Sequence, residues 1–220
     1  MLKEKFNSKI ILSAAISLDG KIATRSGDSK LSSKKDLIRL HKLRSQVDAI
    51  LIGKNTVNLD DPLLTVRYSK GKNPIRIILD SRGTISNESK ILQTSNKIKT
   101  IIVVSKKITK KNLQKLKKFP VEIIVIGEHQ VNIKSLMKNL GKRKIKTILL
   151  EGGGTLNWEF IKNNFVDEFF ITITPFILGG KNAITLVQGE GFDKITKSCK
   201  LKLNGIKRLE NDLVLHYTKL

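Results

Sequence analysis

Short apolar runs rich in isoleucine and valine recur along the chain, each four to six residues long. This length and composition are typical of strands that are buried on both faces of a parallel sheet. The predicted strands are Ile10–Ala15, Ala49–Ile52, Ile75–Leu79, Thr100–Val104, Val121–Ile126 and Thr147–Leu150.

Lysine-rich segments with apolar residues at helical spacing lie between several of these runs and predict helices. One of them places Leu113 and Leu116 on a single face, with lysines elsewhere. Another follows Ser33-x-x-Asp36, which resembles a capping box. The predicted helices are Lys34–Val47, Lys110–Phe119, Ile133–Leu140 and Leu156–Asn163. The alternation of strand and helix indicates a mostly parallel sheet flanked by helices.

The last third of the chain changes character. Glu168–Thr174 alternates weakly as a strand and stops at Pro175. Lys200–Arg208 and Asp212–Lys219 flank Glu210-Asn211, which predicts a hairpin. We therefore expect a mixed α/β fold with antiparallel C-terminal strands. We find no repeat, linker or domain boundary, so residues 1–220 are predicted to form a single domain.

Charge adds a second constraint. The 220 residues include 42 Lys+Arg and 19 Asp+Glu, a net charge of +23, while 40% of the residues are hydrophobic. The hydrophobic fraction excludes a disordered chain. The charge favours anionic partners, such as phosphorylated metabolites, nucleotides or nucleic acids, without choosing among them.

Other classes of protein are disfavoured by what the sequence lacks. Cys199 is the only cysteine, and no Cys/His cluster has zinc spacing, so we expect neither an internal disulfide nor a metal site. Apolar runs fall far short of the ~20 residues of a membrane helix. The N-terminal residues Met1–Lys5 are not followed by a long apolar segment, so no signal peptide is expected. The predicted location is the cytoplasm, without a membrane partner.

A glycine-rich loop is the first candidate for chemistry. Glu151-Gly152-Gly153-Gly154-Thr155 follows a predicted strand and precedes a predicted helix. Such a loop, with the free N–H groups of a helix start, suits a pyrophosphate. It lacks the Lys-Ser/Thr ending of a P-loop. A flexible turn is the alternative, although the acid beside an anion cradle favours a ligand that carries a donor.

Two more features offer charged groups. Arg44 falls on the apolar face of its predicted helix, where an internal salt bridge, a snorkelling side chain and a phosphate clamp all remain open. Thr56, Asp60 and Arg67 follow the strand Ala49–Ile52, and ligands of open α/β sheets bind beyond such strand ends. The three histidines are scattered, and none is assigned a catalytic role.

Several ordered motifs resemble one known family. They are Ala14-Ala15-Ile16-Ser17-Leu18-Asp19-Gly20-Lys21-Ile22-Ala23, Leu43-Arg44, Asp48-Ala49-Ile50-Leu51-Ile52-Gly53, Asp60-Asp61-Pro62-Leu63-Leu64-Thr65-Val66-Arg67 and Glu151-Gly152-Gly153-Gly154-Thr155-Leu156. From about Ile10 onward the chain resembles the reductases of riboflavin biosynthesis. The resemblance implies a dihydrofolate-reductase-like fold. It also implies NADPH-dependent reduction of the ribosyl group of a phosphorylated pyrimidine.

The resemblance also assigns residues. Those that match substrate-holding positions are Ser29, Arg44, Leu64, Arg67 and Glu151. Those that match cofactor-lining positions are Ala15, Leu31, Thr56, Asp60, Gly152, Gly153, Gly154, Thr155 and Leu156. A second cofactor segment is expected at Asp80, Ser81, Arg82 and Gly83, where Ser81 and Arg82 suit an adenosine 2′-phosphate. This favours NADPH, with NADH as the alternative. Asp60 and Glu151 are the candidate catalytic acids.

No zinc-deaminase motif of the His-x-Glu or Pro-Cys-x-x-Cys kind is present, so the chain resembles the stand-alone archaeal and fungal type. The implied substrate is 2,5-diamino-6-(5-phosphoribosylamino)pyrimidin-4(3H)-one, and the family suggests a homodimer. The alternatives are the deaminated pyrimidine, a pterin or folate substrate, or a basic nucleic-acid-binding module. Aromatic residues make up only 5% of the chain, which disfavours nucleic acid as the partner.

Overall fold

The isoleucine- and valine-rich runs form the middle of a large sheet in the structure, a computed structural model that describes residues 8–220. The N-terminal residues Met1–Lys5, for which no signal peptide is expected, lie outside the described residues, as does the start of the predicted domain 1–220. The strands are β1 (Lys9–Ile16), β2 (Lys21–Ala23), β3 (Ala49–Gly53), β4 (Ile75–Leu79), β5 (Thr100–Val104), β6 (Glu122–Val125), β7 (Thr147–Gly152), β8 (Glu168–Ile173), β9 (Ile184–Thr185), β10 (Leu201–Leu209) and β11 (Asp212–Lys219).

The helices lie between these strands in the order that the alternation predicts. They are α1 (Lys34–Arg44), α2 (Lys54–Asp60), α3 (Lys90–Gln93), α4 (Lys110–Leu116), α5 (Ile133–Lys142) and α6 (Gly154–Lys162), with a single 3₁₀ turn at Ile195–Lys197. Among residues 8–220, no helix has both the length and the apolar character needed to cross a membrane.

Within the described residues the main sheet has nine strands in the order β10-β11-β8-β1-β7-β3-β4-β5-β6. The seven from β8 to β6 run parallel. β11 pairs antiparallel with β8, and β10 with β11. The predicted fold class is thereby confirmed: a mostly parallel mixed sheet, flanked by helices, with an antiparallel C-terminal hairpin. β2 and β9 form a separate antiparallel pair.

The core has two layers because the central strands are buried on both faces. Leu12 and Leu51 face a layer that includes Leu136 of α5 and Phe160 of α6. The alternate positions face a second layer built with helices α2, α3 and α4. This two-sided burial explains why the strands are nearly continuous apolar runs in the sequence.

One strand position breaks this apolar pattern. The Arg76 side chain of β4 is fully buried and has no carboxylate partner within residues 8–220. Its guanidinium donates instead to neutral oxygens, among them Thr100 Oγ1 at 2.7 Å, Ile91 O at 2.8 Å and Thr94 Oγ1 at 2.8 Å. Burial lowers the pKa of Arg76 to about 10. The side chain joins β4, β5 and the turn after α3.

Several predicted boundaries differ from the structure. The first helix stops at Arg44 rather than Val47, because Ser45 caps it. Helix α6 begins at Gly154, two residues before the predicted start. Helix α2 was not predicted, because Val57 is its only buried side chain and gives no apolar periodicity. The capping box is half formed: Ser33 accepts from the Asp36 N–H, but the Asp36 carboxylate binds Ser32, Arg39 and Thr172 instead.

Candidate active site

A cavity of about 890 Å³ opens where the parallel strands end. Its wall includes Ala15 near the end of β1, Gly53 at the end of β3, Ser81 after β4 and Gly152 at the end of β7. The carboxyl ends of parallel strands meet at one edge of a sheet, which is where ligands bind in open α/β folds. The volume is within the range of small-molecule and cofactor sites.

The glycine-rich loop forms one wall of this cavity. Gly152 and Gly153 have φ of 76° and 42°, backbone conformations that side chains rarely adopt. A Cβ on Gly154 would lie 2.4 Å from the carbonyl oxygen of Thr185. The loop is fixed by Thr56 of α2, whose hydroxyl donates to the Gly152 carbonyl at 3.2 Å. These residues therefore hold bare backbone against the cavity.

Helix α6 begins in the same loop, and the N–H groups of its first turn have no partner within the helix. Gly153 occupies the N-cap position and supplies no side-chain acceptor. The first N–H groups and the helix dipole favour an anion there. Asn157, in the first turns of α6, also lines the cavity, and its Oδ1 is buried with no hydrogen-bond partner in the described part of the chain. The wall thus offers several groups whose hydrogen-bonding capacity is unused.

Arg44 of α1 and Glu151 of β7 form a mostly buried ion pair beside the cavity. Arg44 Nε donates to Glu151 Oε1 at 2.7 Å, and Nη2 donates to Oε2 at 2.6 Å. Burial opposes the charge of Arg44, but Glu151 overcomes it and raises the pKa of the guanidinium. Glu151 lines the cavity and Arg44 does not. Of the three alternatives for Arg44 on the apolar face of its helix, the structure therefore shows the internal salt bridge.

The segment after α2 brings a second arginine to the cavity. Arg67 lines the wall, and its Nη1 donates to Thr65 Oγ1 at 2.6 Å. The backbone N–H of Arg67 donates to His41 Nδ1 at 2.7 Å. Arg44 Nη1 donates to the Thr65 carbonyl at 3.2 Å. Helix α1 thus fixes the segment that carries Arg67.

Asp60, the last residue of α2, lies on the cavity wall beside Ser29. The Ser29 hydroxyl donates to Asp60 Oδ1 at 2.6 Å. Loss of solvent around the carboxyl raises the pKa of Asp60, and this exceeds the opposing effect of the Ser29 hydrogen bond; Asp28 raises it further. A raised pKa makes Asp60 a better proton donor near neutral pH than an ordinary aspartate.

The structure gathers most of the predicted site residues around this one cavity. Those that line it are Ala15, Ser29, Thr56, Asp60, Arg67, Ser81, Glu151, Gly152, Gly153, Gly154, Thr155 and Leu156. The remaining six lie outside its lining: Leu31, Arg44, Leu64, Asp80, Arg82 and Gly83.

Those six residues have other surroundings. Leu31 and Leu64 are buried, and Leu64 packs in the second core layer with φ of 51°. The Asp80 carboxylate accepts from the backbone N–H of Ile85 and from Thr84, so it holds the turn after β4. Gly83 is buried in that turn, and Arg82 is exposed next to Ser81.

Sequence reasoning missed several lining residues. Gln130 and Val131 follow β6, and the N–H of Val131 donates to Ser81 Oγ at 3.1 Å. The position of β6 in the parallel sheet was the signal that could have found them. Ile184 and Gln188 reach the cavity from the chain after β8 and have no local signal. Residues 8–220 contain no grouping of three or more His, Cys, Asp or Glu that could hold a metal ion.

Comparison with known proteins gives a consistent result. Residues 8–215 match the model of the RibD C-terminal domain family. A 2,5-diamino-6-ribosylamino-4(3H)-pyrimidinone 5′-phosphate reductase of Methanothermobacter thermautotrophicus is 39% identical over 212 residues, which are 95% of this chain and 97% of that protein.

Solved structures share the fold. RibD of Acinetobacter baumannii superposes with a TM-score of 0.83 at 26% identity, over 97% of this chain and 58% of that one. This chain therefore spans little more than half of that protein. Dihydrofolate reductase of Enterococcus faecalis, at 12% identity and over 97% of this chain and 98% of that one, has a TM-score of 0.57, which shows the fold alone. With the family model covering nearly all described residues, this chain belongs to the RibD C-terminal domain family.

Proposed function

We propose that this chain catalyses the NADPH-dependent reduction of the ribosyl group of 2,5-diamino-6-(5-phosphoribosylamino)pyrimidin-4(3H)-one to the ribityl form, a step of riboflavin biosynthesis. The observation that carries the proposal is one cavity lined both by a glycine anion cradle and by Glu151, Arg67 and Asp60. The name of the Methanothermobacter relative supports the same reaction.

The fit of a nicotinamide cofactor rests on the α6 wall. Side chains on Gly152 and Gly153 would be strained, and one on Gly154 would collide with backbone, so the loop presents bare backbone and the start of α6, which suit a pyrophosphate. Asn157 Oδ1 supplies an unused acceptor for a hydroxyl or amide donor of the cofactor. When bound, NADPH would supply a hydride to C1′ of the ribose. The protein residues then position the two ligands and move protons.

Glu151 and Asp60 have different proposed roles. Arg44 donates to both oxygens of Glu151, so we assign Glu151 as a fixed carboxylate that accepts a hydrogen bond from the substrate. Asp60 has the raised pKa, and we assign it as the acid that donates a proton to the ribose ring oxygen as the bond from that oxygen to C1′ breaks, which balances the later addition of a hydride to C1′. Arg67 would bind the 5′-phosphate, whereas Arg44, to which the resemblance gives the same role, holds Glu151 and does not line the cavity.

Preference for NADPH over NADH is the finer part of the proposal. Ser81 lines the cavity and Arg82 is exposed beside it, which suits a 2′-phosphate. Replacing Arg82 with alanine should raise the KM for NADPH about tenfold and leave the KM for NADH unchanged. Lys106→Ala, at an exposed lysine of another turn, is the control.

The test of the reaction is NADPH oxidation in the presence of the diamino substrate, followed at the nicotinamide absorbance band. Oxidation that requires this substrate supports the proposal. Oxidation only with the deaminated pyrimidine would shift the assignment to that alternative. Absence of oxidation with either would contradict the proposed reaction.

We also propose a homodimer and a cytoplasmic location. The edge strand β10 has no partner on its outer side among the described residues, and it exposes Leu201, Leu203 and Ile206. Light scattering on the purified protein should give twice the chain mass, and Ile206→Glu should reduce it. The lone Cys199 accords with a reducing compartment.

A further inference from the structure

His41 is a buried side chain of α1 to which the sequence assigned no role. It is 1% exposed and lies one turn before Arg44 on the same helix. Its ring contacts Tyr68 edge-to-face, with ring centres 4.7 Å apart. The histidine is therefore packed between α1 and the segment that carries Arg67.

The contact that matters is with the main chain of that segment. His41 Nδ1 accepts from the N–H of Arg67 at 2.7 Å, and the N–H of Tyr68 lies 3.4 Å from the same nitrogen. Residues 65–68 belong to no helix or strand, so no ladder of hydrogen bonds fixes them. The Arg67 main chain is held by this acceptor, by the Arg44 bond to Thr65 and, one residue earlier, by the bond from the Val66 N–H to Asn73 Oδ1.

A guanidinium is well placed to bind a phosphate when the main chain that carries it is held in position. Arg67 has a long side chain, and its Nη1 bond to Thr65 and its position 5.9 Å from the centre of the Tyr68 ring are local contacts within the same segment. If the segment moves, these contacts move with it. Apart from the Val66 bond to Asn73 in the same loop, the described hydrogen bonds that hold the main chain of this segment come from α1.

We propose that His41 is a positioning residue, which holds Arg67 at the cavity wall through Nδ1 and thereby sets the affinity for the phosphorylated substrate. This inference rests on the proposed binding of substrate phosphate by Arg67. It does not involve the cofactor wall, which lies on α6 and the turn after β4.

The protonation state of His41 agrees with this role. Burial, with Arg44 and Arg67 nearby, lowers its pKa to about 4, although Glu151 opposes the shift. The ring is thus neutral at neutral pH and keeps a lone pair on Nδ1 for the Arg67 N–H.

Two polar replacements separate an acceptor in the right place from one in the wrong place. In His41→Asn the amide can place an oxygen near the position of Nδ1, whereas in His41→Gln the oxygen falls nearer the position of Nε2. His41→Leu removes the acceptor, Arg67→Ala removes the guanidinium, and His129→Asn is the control at an exposed histidine. Each variant is assayed for kcat, for the KM of the phosphorylated substrate and for NADPH affinity.

We expect His41→Leu and His41→Gln to raise the substrate KM about tenfold, while kcat and NADPH affinity stay near those of the wild type. His41→Asn and His129→Asn should keep the KM within about twofold. With Arg67 already replaced by alanine, the change at His41 should have little further effect, because the two residues act together.

Other outcomes overturn the inference. Equal KM values for the asparagine, glutamine and wild-type proteins would show that the acceptor position does not matter. A parallel loss of NADPH affinity would indicate a general structural role. If Arg67→Ala raises the KM and the His41 variants do not, only the positioning role fails. If Arg67→Ala has no effect, the proposed phosphate contact itself fails.

Discussion

The ion pair between Arg44 and Glu151 explains a residue that the sequence pattern made conspicuous. An arginine in an apolar stripe needs a partner, and the partner comes from β7, 107 positions further along the chain. Periodicity could show that Arg44 was buried, but it could not choose among a salt bridge, a snorkelling side chain and a ligand contact. The choice depends on which strand lies opposite, which is a property of the whole sheet.

Removal of one partner of this pair should be costly. Arg44→Met leaves Glu151 as an unpaired charge at a mostly buried position, and we expect the free energy of unfolding to fall by about 3 kcal/mol. Urea denaturation measures the change. Lys106→Met, which breaks the exposed pair with Glu128, should leave the free energy of unfolding nearly unchanged. Similar losses for both variants would contradict the buried role of Arg44.

Asp60 gives a pH-dependent prediction. If its protonated form delivers a proton, kcat falls as the pH rises through the pKa of Asp60, and burial moves that fall to higher pH. Asp60→Asn should lower kcat about 100-fold and abolish this part of the profile. Asp28→Asn removes a charge that raises the Asp60 pKa, so the fall should shift to lower pH with kcat retained. An unchanged profile in Asp60→Asn would exclude it as the donor.

At the scale of the element, α6 and the loop before it form the most distinctive unit. These positions need glycine, because Gly152 and Gly153 have positive φ and a Cβ on Gly154 would collide with the Thr185 carbonyl. The sequence indicated this loop and the strand and helix around it. It did not indicate that Thr56 of α2 fixes it, because α2 itself lacks an apolar pattern.

Gly153→Ala tests the cradle. Alanine at φ 42° is strained, and its Cβ would lie 3.2 Å from Thr56 Oγ1, so the loop should shift and its N–H groups should turn from the cavity. We expect the dissociation constant for NADPH to rise at least about tenfold, measured by quenching of nicotinamide fluorescence. Gly205→Ala, in β10 with no atom within 4 Å of the added Cβ, should bind NADPH normally.

The strands were more predictable than the short elements. Runs such as Thr100–Val104 are buried on both faces and need only local composition to be found. The pair β2–β9 and the helices α2 and α3 bury few apolar residues and depend on distant partners. Likewise the cavity residues after β8 come from a segment that only the folded chain brings back to the site.

For the whole molecule, the net charge of +23 affects the rate at which anionic ligands reach the protein more than the contacts they make once bound. Long-range attraction raises the association rate of anionic ligands, and salt screens it within about 10 Å at 0.1 M. We expect kcat/KM for the phosphorylated substrate to fall several-fold between low and physiological salt, with kcat nearly constant. For the substrate analogue without a phosphate, kcat/KM should depend less on salt concentration in the same assay. Equal dependence for both would indicate that salt acts on the protein rather than on steering.

The position of β1 in the sheet has a consequence for synthesis. This strand precedes the other strands of the sheet, yet both of its neighbours, β7 and β8, come much later in the sequence: Lys9 pairs with Thr147, and Ile11 pairs with Glu168. A nascent chain can pair β3 with β4, β4 with β5 and β5 with β6 as they leave the ribosome, while β1 stays without a partner. The centre of the sheet can close only after β7, which lies between β1 and β3, has emerged, so the cavity at its edge is among the last features to form.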